Sequence, residues 1–160
     1  MEIYLMQHGR NLPKDQDPDK GLSAEGDAEV RLTARAFKVF HTEFDAILSS
    51  PKKRSKQTAA IVAEETGFPP EKITQTEKVE ATTPAEETVR ALSELSDAKT
   101  VLIAGHLPSV GEVASYLLTE GSKVNVEYEN GACCCIAVDT LPTHSGRLRW
   151  LIKPSQLEVL

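Results

Sequence analysis

Ala46-Ile47-Leu48-Ser49-Ser50-Pro51-Lys52-Lys53-Arg54-Ser55-Lys56-Gln57-Thr58 is the stretch that decides how this chain is read. It opens on a short apolar run, the pattern of a buried strand. Serine followed by proline then signals a helix start, with Pro51 near the first helical position, where a missing amide proton costs nothing. Gln57, Ala60 and Val62 carry the helix to about Thr66, and Gly67 stops it. The same step from strand to helix recurs on both sides. Upstream, Glu2 to Met6 is a strand, and Asn11 to Lys20 is a polar, Pro-interrupted loop carrying Asp15, Asp17 and Asp19. Ser23 caps a helix whose core face is Val30, Ala34, Phe37 and Val39 or Phe40, ending near His41.

Downstream, Pro69-Pro70 marks a turn and a short strand is predicted over Thr76 to Val79. Thr83-Pro84-Ala85-Glu86 has capping-box form and opens a helix from Pro84 to about Leu95. Thr100 to Ala104 reads as a buried strand, and Gly105-His106-Leu107-Pro108-Ser109 leads into a helix through Val113 and Leu117. The end of the chain changes pattern. Gly131 to Val138 and Arg147 to Ile152 read as two strands joined by a turn, paired antiparallel. The whole is an α/β chain with a mostly parallel sheet and an antiparallel edge. No repeat or linker divides it, so 1–160 reads as a single domain.

The bulk properties exclude several classes. A formal net charge of −6 opposes sequence-independent binding to nucleic acid or anionic lipid. No apolar run is long enough to span a membrane. The first residues, Met1 to Met6, lack the basic and apolar regions of a signal peptide. Cys133, Cys134 and Cys135 are adjacent, a spacing unsuited to a disulfide framework or a tetrahedral metal site. On a strand, Cys133 and Cys135 share one face and Cys134 takes the other. Buried, reduced thiols fit a cytoplasmic protein.

Chemistry-bearing residues collect at strand ends. The first strand ends in Gln7-His8-Gly9-Arg10, the second in Ser49-Ser50-Pro51 with Arg54 a turn later, and the third helix-flanked strand in Gly105-His106. Ligands of open α/β sheets bind outside the carboxyl ends of the strands, so these residues are expected to converge. Their types suit a phosphoryl group: a guanidinium fork for its oxygens, helix amides and a nucleophilic imidazole. Gly9 lets the backbone beside His8 pass close to a substrate, with its amide free to donate to His8 or to phosphate. The four histidines, His8, His41, His106 and His144, show no metal-ligand spacing, and no cofactor is expected.

Gln7-His8-Gly9, Leu22-Ser23-Ala24-Glu25-Gly26, Ser49 to Thr58 and Gly105-His106 together resemble the histidine phosphatase superfamily across essentially the whole chain. The short length and Gly105-His106-Leu107-Pro108-Ser109-Val110-Gly111 look most like its SixA-type phosphohistidine phosphatases. The resemblance implies a three-layer α/β/α sandwich of phosphoglycerate mutase type. It implies that His8 attacks phosphorus and forms a phosphohistidine enzyme that water hydrolyses. Arg54 and His106 would stabilise the phosphoryl oxygens, with Gln7 and Gly9 as further phosphate contacts. The family places arginine where this chain has Gln7, which removes one charge from the site; Arg10 or Lys14 are the cations nearest in sequence to replace it. Glu80 is a possible general acid, with Asp15, Asp17 and Asp19 as alternatives. A phosphorylated protein, such as a histidine phosphotransfer domain, is the implied partner, and the protein is expected to be a monomer or weak dimer. A small-molecule phosphomonoesterase and a phosphate-binding regulatory module are the alternative readings. Ser50 is expected to cap its helix, Gln57 and Thr58 to be structural, and His41 and His144 to lie at the surface. The Lys52-Lys53-Lys56 cluster is a solvated face, or steers a phosphorylated partner.

Overall fold

Strand β1 (Glu2–Gln7) alternates Ile3 and Leu5 on one face with Tyr4 and Met6 on the other, all buried. A strand apolar on both faces has to be covered on both. The computed structural model, which describes residues 1–160, covers it in three layers. The remaining strands are β2 (Ala46–Ser49), β3 (Thr74–Gln75), β4 (Thr100–Gly105), β5 (Cys133–Ala137) and β6 (Arg147–Ile152). They form one sheet in the order β3-β2-β4-β1-β5-β6. The first four run parallel; β5 and β6 complete the sheet antiparallel.

Helices α1 (Ala24–Val39) and α2 (Lys53–Thr66) pack Val30, Ala34, Phe37, Ala59 and Val62 onto the face of Tyr4 and Met6. On the opposite face, α3 (Ala85–Ser93) and α4 (Ser109–Leu118) bring Val89, Leu92, Val113 and Leu117 against Ile3 and Leu5. A last short helix, α5, spans Pro154–Leu157. Cys133 and Cys135 join the α1/α2 side and Cys134 the other, all with no exposed area. Burial raises all three thiols; the raised values reach about 11 at Cys134 and about 12 at Cys135. No helix is long and apolar enough to cross a membrane.

Local expectations are corrected in places. Helix α2 begins at Lys53 with Lys52 as its N-cap, so Pro51 precedes the helix instead of entering it. Ser50 is not its cap, because its hydroxyl is engaged elsewhere. The strand expected over Thr76 to Val79 is the shorter β3; Glu77 to Val79 form a 3-10 turn that buries Val79. The core face of α1 ends at Phe37. Val39 is 73% exposed, and Phe40, half exposed, packs on Trp150 with ring centroids 5.7 Å apart. The capping box at Thr83 does not form; Pro84 is the cap, and the Thr83 hydroxyl donates instead to the Glu77 carbonyl (2.7 Å).

Candidate active site

Sheet order explains why residues distant in sequence meet. Strand β4 lies between β1 and β2, with Gln7 paired to Gly105 and Ser49 to Ala104. The next residues, His8, Ser50 and His106, therefore leave the sheet side by side at its carboxyl edge, the place where α/β sheets bind ligands. The rings of His8 and His106 sit 5.0 Å apart.

His8 is oriented by its own neighbour. Its Nδ1–H donates to the Gly9 carbonyl (2.7 Å), which puts the lone pair on Nε2, an assignment that rests on the hydrogen-bond network. Nε2 then accepts from Arg54 Nε (3.3 Å), and the Gln7 amide nitrogen lies 3.4 Å from it. Burial lowers the pKa of His8, the Gly9 carbonyl opposes that shift, and Arg54 adds to it. The ring is therefore neutral and available as a nucleophile at neutral pH.

His106 is 2% exposed, and its Nε2 shares a 2.6 Å hydrogen bond with the Ser50 hydroxyl. That hydroxyl oxygen also accepts from the Lys52 amide (3.3 Å). The other ring nitrogen, Nδ1, is buried without a partner, and no other buried side-chain nitrogen or oxygen in the chain is in that position. Burial first, and then His8, Arg54 and Lys52, push its pKa down to about 3. Arg54 is half-buried, and no carboxylate pairs with it. The cluster is thus one unpaired guanidinium beside two neutral imidazoles, an arrangement suited to an anion.

Gln7 takes a role the sequence did not reveal. It is 7% exposed, and its carbonyl oxygen accepts from the Leu107 amide at 2.7 Å. One end of the carboxamide thereby holds the segment that carries His106, while the other faces His8. The expectation that the Gly9 amide serves phosphate is corrected: it donates to Thr58 Oγ1 (3.2 Å), whose hydroxyl donates to the Arg54 carbonyl (2.8 Å). Gly9 is needed for space. A Cβ there would stand 2.5 Å from the Gly26 carbonyl oxygen and 2.8 Å from Val30 Cγ2, so α1 seats its first turn directly on the backbone after β1. Gln57 is structural too, its Oε1 accepting from the Leu22 amide (2.7 Å).

The remaining expected residues divide. Arg10 is 62% exposed and paired with Glu29 (3.4 Å), so it does not take the place of an arginine at position 7. Asp17 binds Lys53 (2.8 Å) and the amides of Gly21 and Asp19, which makes it a loop anchor. Glu80 follows the turn whose Val79 carbonyl oxygen comes within 3.3 Å of a Cβ built on Gly105, so its backbone borders the same rim. Its side chain is partly exposed and has no hydrogen-bond or ion-pair partner. His41 is exposed, and His144 bonds the Tyr116 carbonyl (2.7 Å), both away from the cluster.

Comparison with known proteins agrees with this geometry. Residues 3–78 match the model of the histidine phosphatase superfamily, branch 1. An uncharacterized protein of Picosynechococcus sp. strain PCC 7002 is 33% identical over 66 residues, 39% of this chain and 40% of that protein, so the match spans well under half of the relative's length. The fold superimposes on the protein histidine phosphatase SixA complexed with tungstate with a TM-score of 0.86 and 25% identity, covering 98% of this chain and 99% of that one. A chain from Agrobacterium tumefaciens proposed to be a phosphohistidine phosphatase SixA gives 0.76 at 19% identity over 96% and 97% of the two chains. A mycobacterial glucosyl-3-phosphoglycerate phosphatase shares the fold at 0.70 and 14% identity over 92% and 96%. With its ordered motifs, its phosphoglycerate mutase-like sheet and its histidine pair at the strand ends, the chain matches the histidine phosphatase superfamily over residues 3–78 and is similar in structure to SixA over nearly its whole length.

Proposed function

We propose that this chain is a phosphatase that hydrolyses phosphohistidine on a protein through a covalent phosphohistidine at His8. The observation that carries the reading is the lone pair of His8 Nε2, held by the Gly9 carbonyl on one side of the ring and flanked by an unpaired Arg54 on the other. In the first step Nε2 bonds to phosphorus as the P–N bond to the substrate imidazole breaks, and the leaving nitrogen takes a proton from solvent water. Water then attacks phosphorus, the P–Nε2 bond breaks, and phosphate leaves. Arg54 and His106 stabilise the equatorial oxygens, and the orphaned His106 Nδ1 would find its partner in that group. Gln7 contributes a neutral donor where the resemblance places a charge.

A leaving imidazole nitrogen is readily protonated, so this substrate class asks little of a dedicated acid. Glu80 supplies the proton where the leaving atom is oxygen. The resemblance to SixA directs the choice of a phosphohistidine protein as substrate. The test is an assay of a histidine-phosphorylated protein beside a panel of sugar and nucleotide phosphates. A kcat/KM for the phosphoprotein at least about tenfold above every small phosphate is expected, a difference of about 1.4 kcal/mol in transition-state binding. Preference for a small phosphate would replace this reading with a metabolite phosphomonoesterase.

A further inference from the structure

A basic cleft opens beside the histidine pair, and apart from Arg54 its residues take no part in the chemistry. Its volume is about 590 Å³, and it lies between the segment Pro18–Lys20 and the first turn of α2, Pro51–Lys56. Its charged lining is Lys20, Lys52, Lys53, Arg54 and Lys56 against a single acid, Asp19. The protein as a whole carries −6, so this wall reverses the sign of its surroundings. Lys53 is paired with Asp17. Lys20, Lys52 and Lys56 are exposed and have no carboxylate partner.

The cleft and the histidine cluster are electrically continuous. Arg54 belongs to both, and Lys52 is among the charges that depress His106. The Lys53–Asp17 pair, together with the bonds from Asp17 to the Gly21 and Asp19 amides, fixes the loop wall against α2. The shape therefore exists before any partner arrives.

The kind of anion follows from how the donors are set. A second phosphate on a small substrate needs buried, fixed donors at phosphate spacing. Here the lysines are exposed, and the space is larger than one phosphate. Long solvated ammonium groups along an open wall suit several carboxylates on a protein surface, where they orient the encounter and hold it in register.

We propose that this cleft docks the acidic flank of the phosphorylated protein, with carboxylates beside the partner's phosphohistidine lying between Lys20 and the Lys52–Lys56 turn while the phosphoryl group reaches His8. The assignment rests on the phosphohistidine reading above.

The test uses the full chain and two histidine peptides phosphorylated with phosphoramidate, one flanked by glutamates and the other by glutamines. At low ionic strength the wild type should favour the glutamate peptide by about tenfold in kcat/KM, and the preference should shrink in ~0.15 M salt. The double variant Lys20→Glu/Lys56→Glu should lose the preference or invert it, with circular dichroism confirming that it is folded. Single Lys20→Gln and Lys56→Gln variants, each with an intermediate preference, cover the case of a misfolded double variant. Equal kcat/KM for the two peptides in the wild type, or an unchanged preference in the folded variants, overturns the docking assignment and leaves the phosphohistidine reading standing. Hydrolysis of neither peptide, with 4-nitrophenyl phosphate turned over, overturns both.

Discussion

Replacing Gln7 by arginine introduces the residue that the resemblance to histidine phosphatases places there, and the structure gives it two opposed consequences. The Gln7 carbonyl oxygen accepts from the Leu107 amide at 2.7 Å in a position only 7% exposed. A guanidinium has five donors and no acceptor. The substitution therefore removes the acceptor of the part-buried Leu107 amide at the base of the segment carrying His106, at a cost of about 1–3 kcal/mol. For a chain of this size each kcal/mol moves Tm by about 2–4 °C, so the anion-free variant should melt ~2–12 °C lower. Against an anion the sign reverses. A second charge-assisted contact contributes about 1.5–3 kcal/mol, which is ~10–100-fold in affinity. Thermal unfolding with and without tungstate, beside calorimetric titration of tungstate, reads both effects. The Gln7→Arg protein should be the less stable of the two when empty, tighten tungstate, and recover Tm as the ligand saturates. An unchanged or raised Tm in the absence of anion would refute the argument that Gln7 is retained as an acceptor. Weaker tungstate binding would refute the argument that the site is short of one charge.

Other substitutions probe the supports of the site. Thr58→Val removes the acceptor for the Gly9 amide in a fully buried position and should cost about 1–3 kcal/mol in urea unfolding. Gly26→Ala drives a methyl group into the Arg10 backbone, beneath the turn that carries His8. It should destabilise by about 1–3 kcal/mol or more and lower activity with it. The histidine pair sets a pH dependence of stability. An unfolded histidine takes up its proton near its ordinary value of about 6.5, whereas folded His106 resists to about 3. Between those values the unfolded state binds more protons, so stability falls as pH is lowered through that window and is fully present above it. His106→Gln should make the fall shallower in denaturant titrations across this range. It should not abolish it, because the pKa of His8 is also lowered. An identical slope in the variant would show that His106 is not the group responsible.

The sheet was legible because its strands are short apolar runs bounded by strong punctuation, and each reading needed only local information. The boundaries that shifted did so for tertiary reasons. Ser50 looks like a helix cap because Ser-Pro is a helix-start signal, yet β4 places His106 beside it, and the hydroxyl bonds the imidazole instead. Val39 and Phe40 keep helical spacing, but the chain turns away from the sheet at this point, with the Thr42 amide bonding the Phe37 carbonyl. The meeting of His8, Arg54 and His106 was legible from motif order and the rule for strand ends. The bond from Gln7 to Leu107 spans 100 residues and has no local signature. Gly26 left a trace in the Leu-Ser-Ala-Glu-Gly run, but its reason, contact with the backbone after β1, belongs to the packing of α1.

His8 is proposed to carry the phosphoryl group between the partner protein and water. Rapid mixing with a phosphohistidine protein, an alkaline quench and intact-mass analysis of the wild type, His8→Ala and His106→Gln would capture that species directly. A phosphorylated chain is expected in the wild type, slower formation of it in His106→Gln, and none in His8→Ala. Phosphate release from His8→Ala at the wild-type rate, or a label mapped to any other residue, would contradict that role for His8.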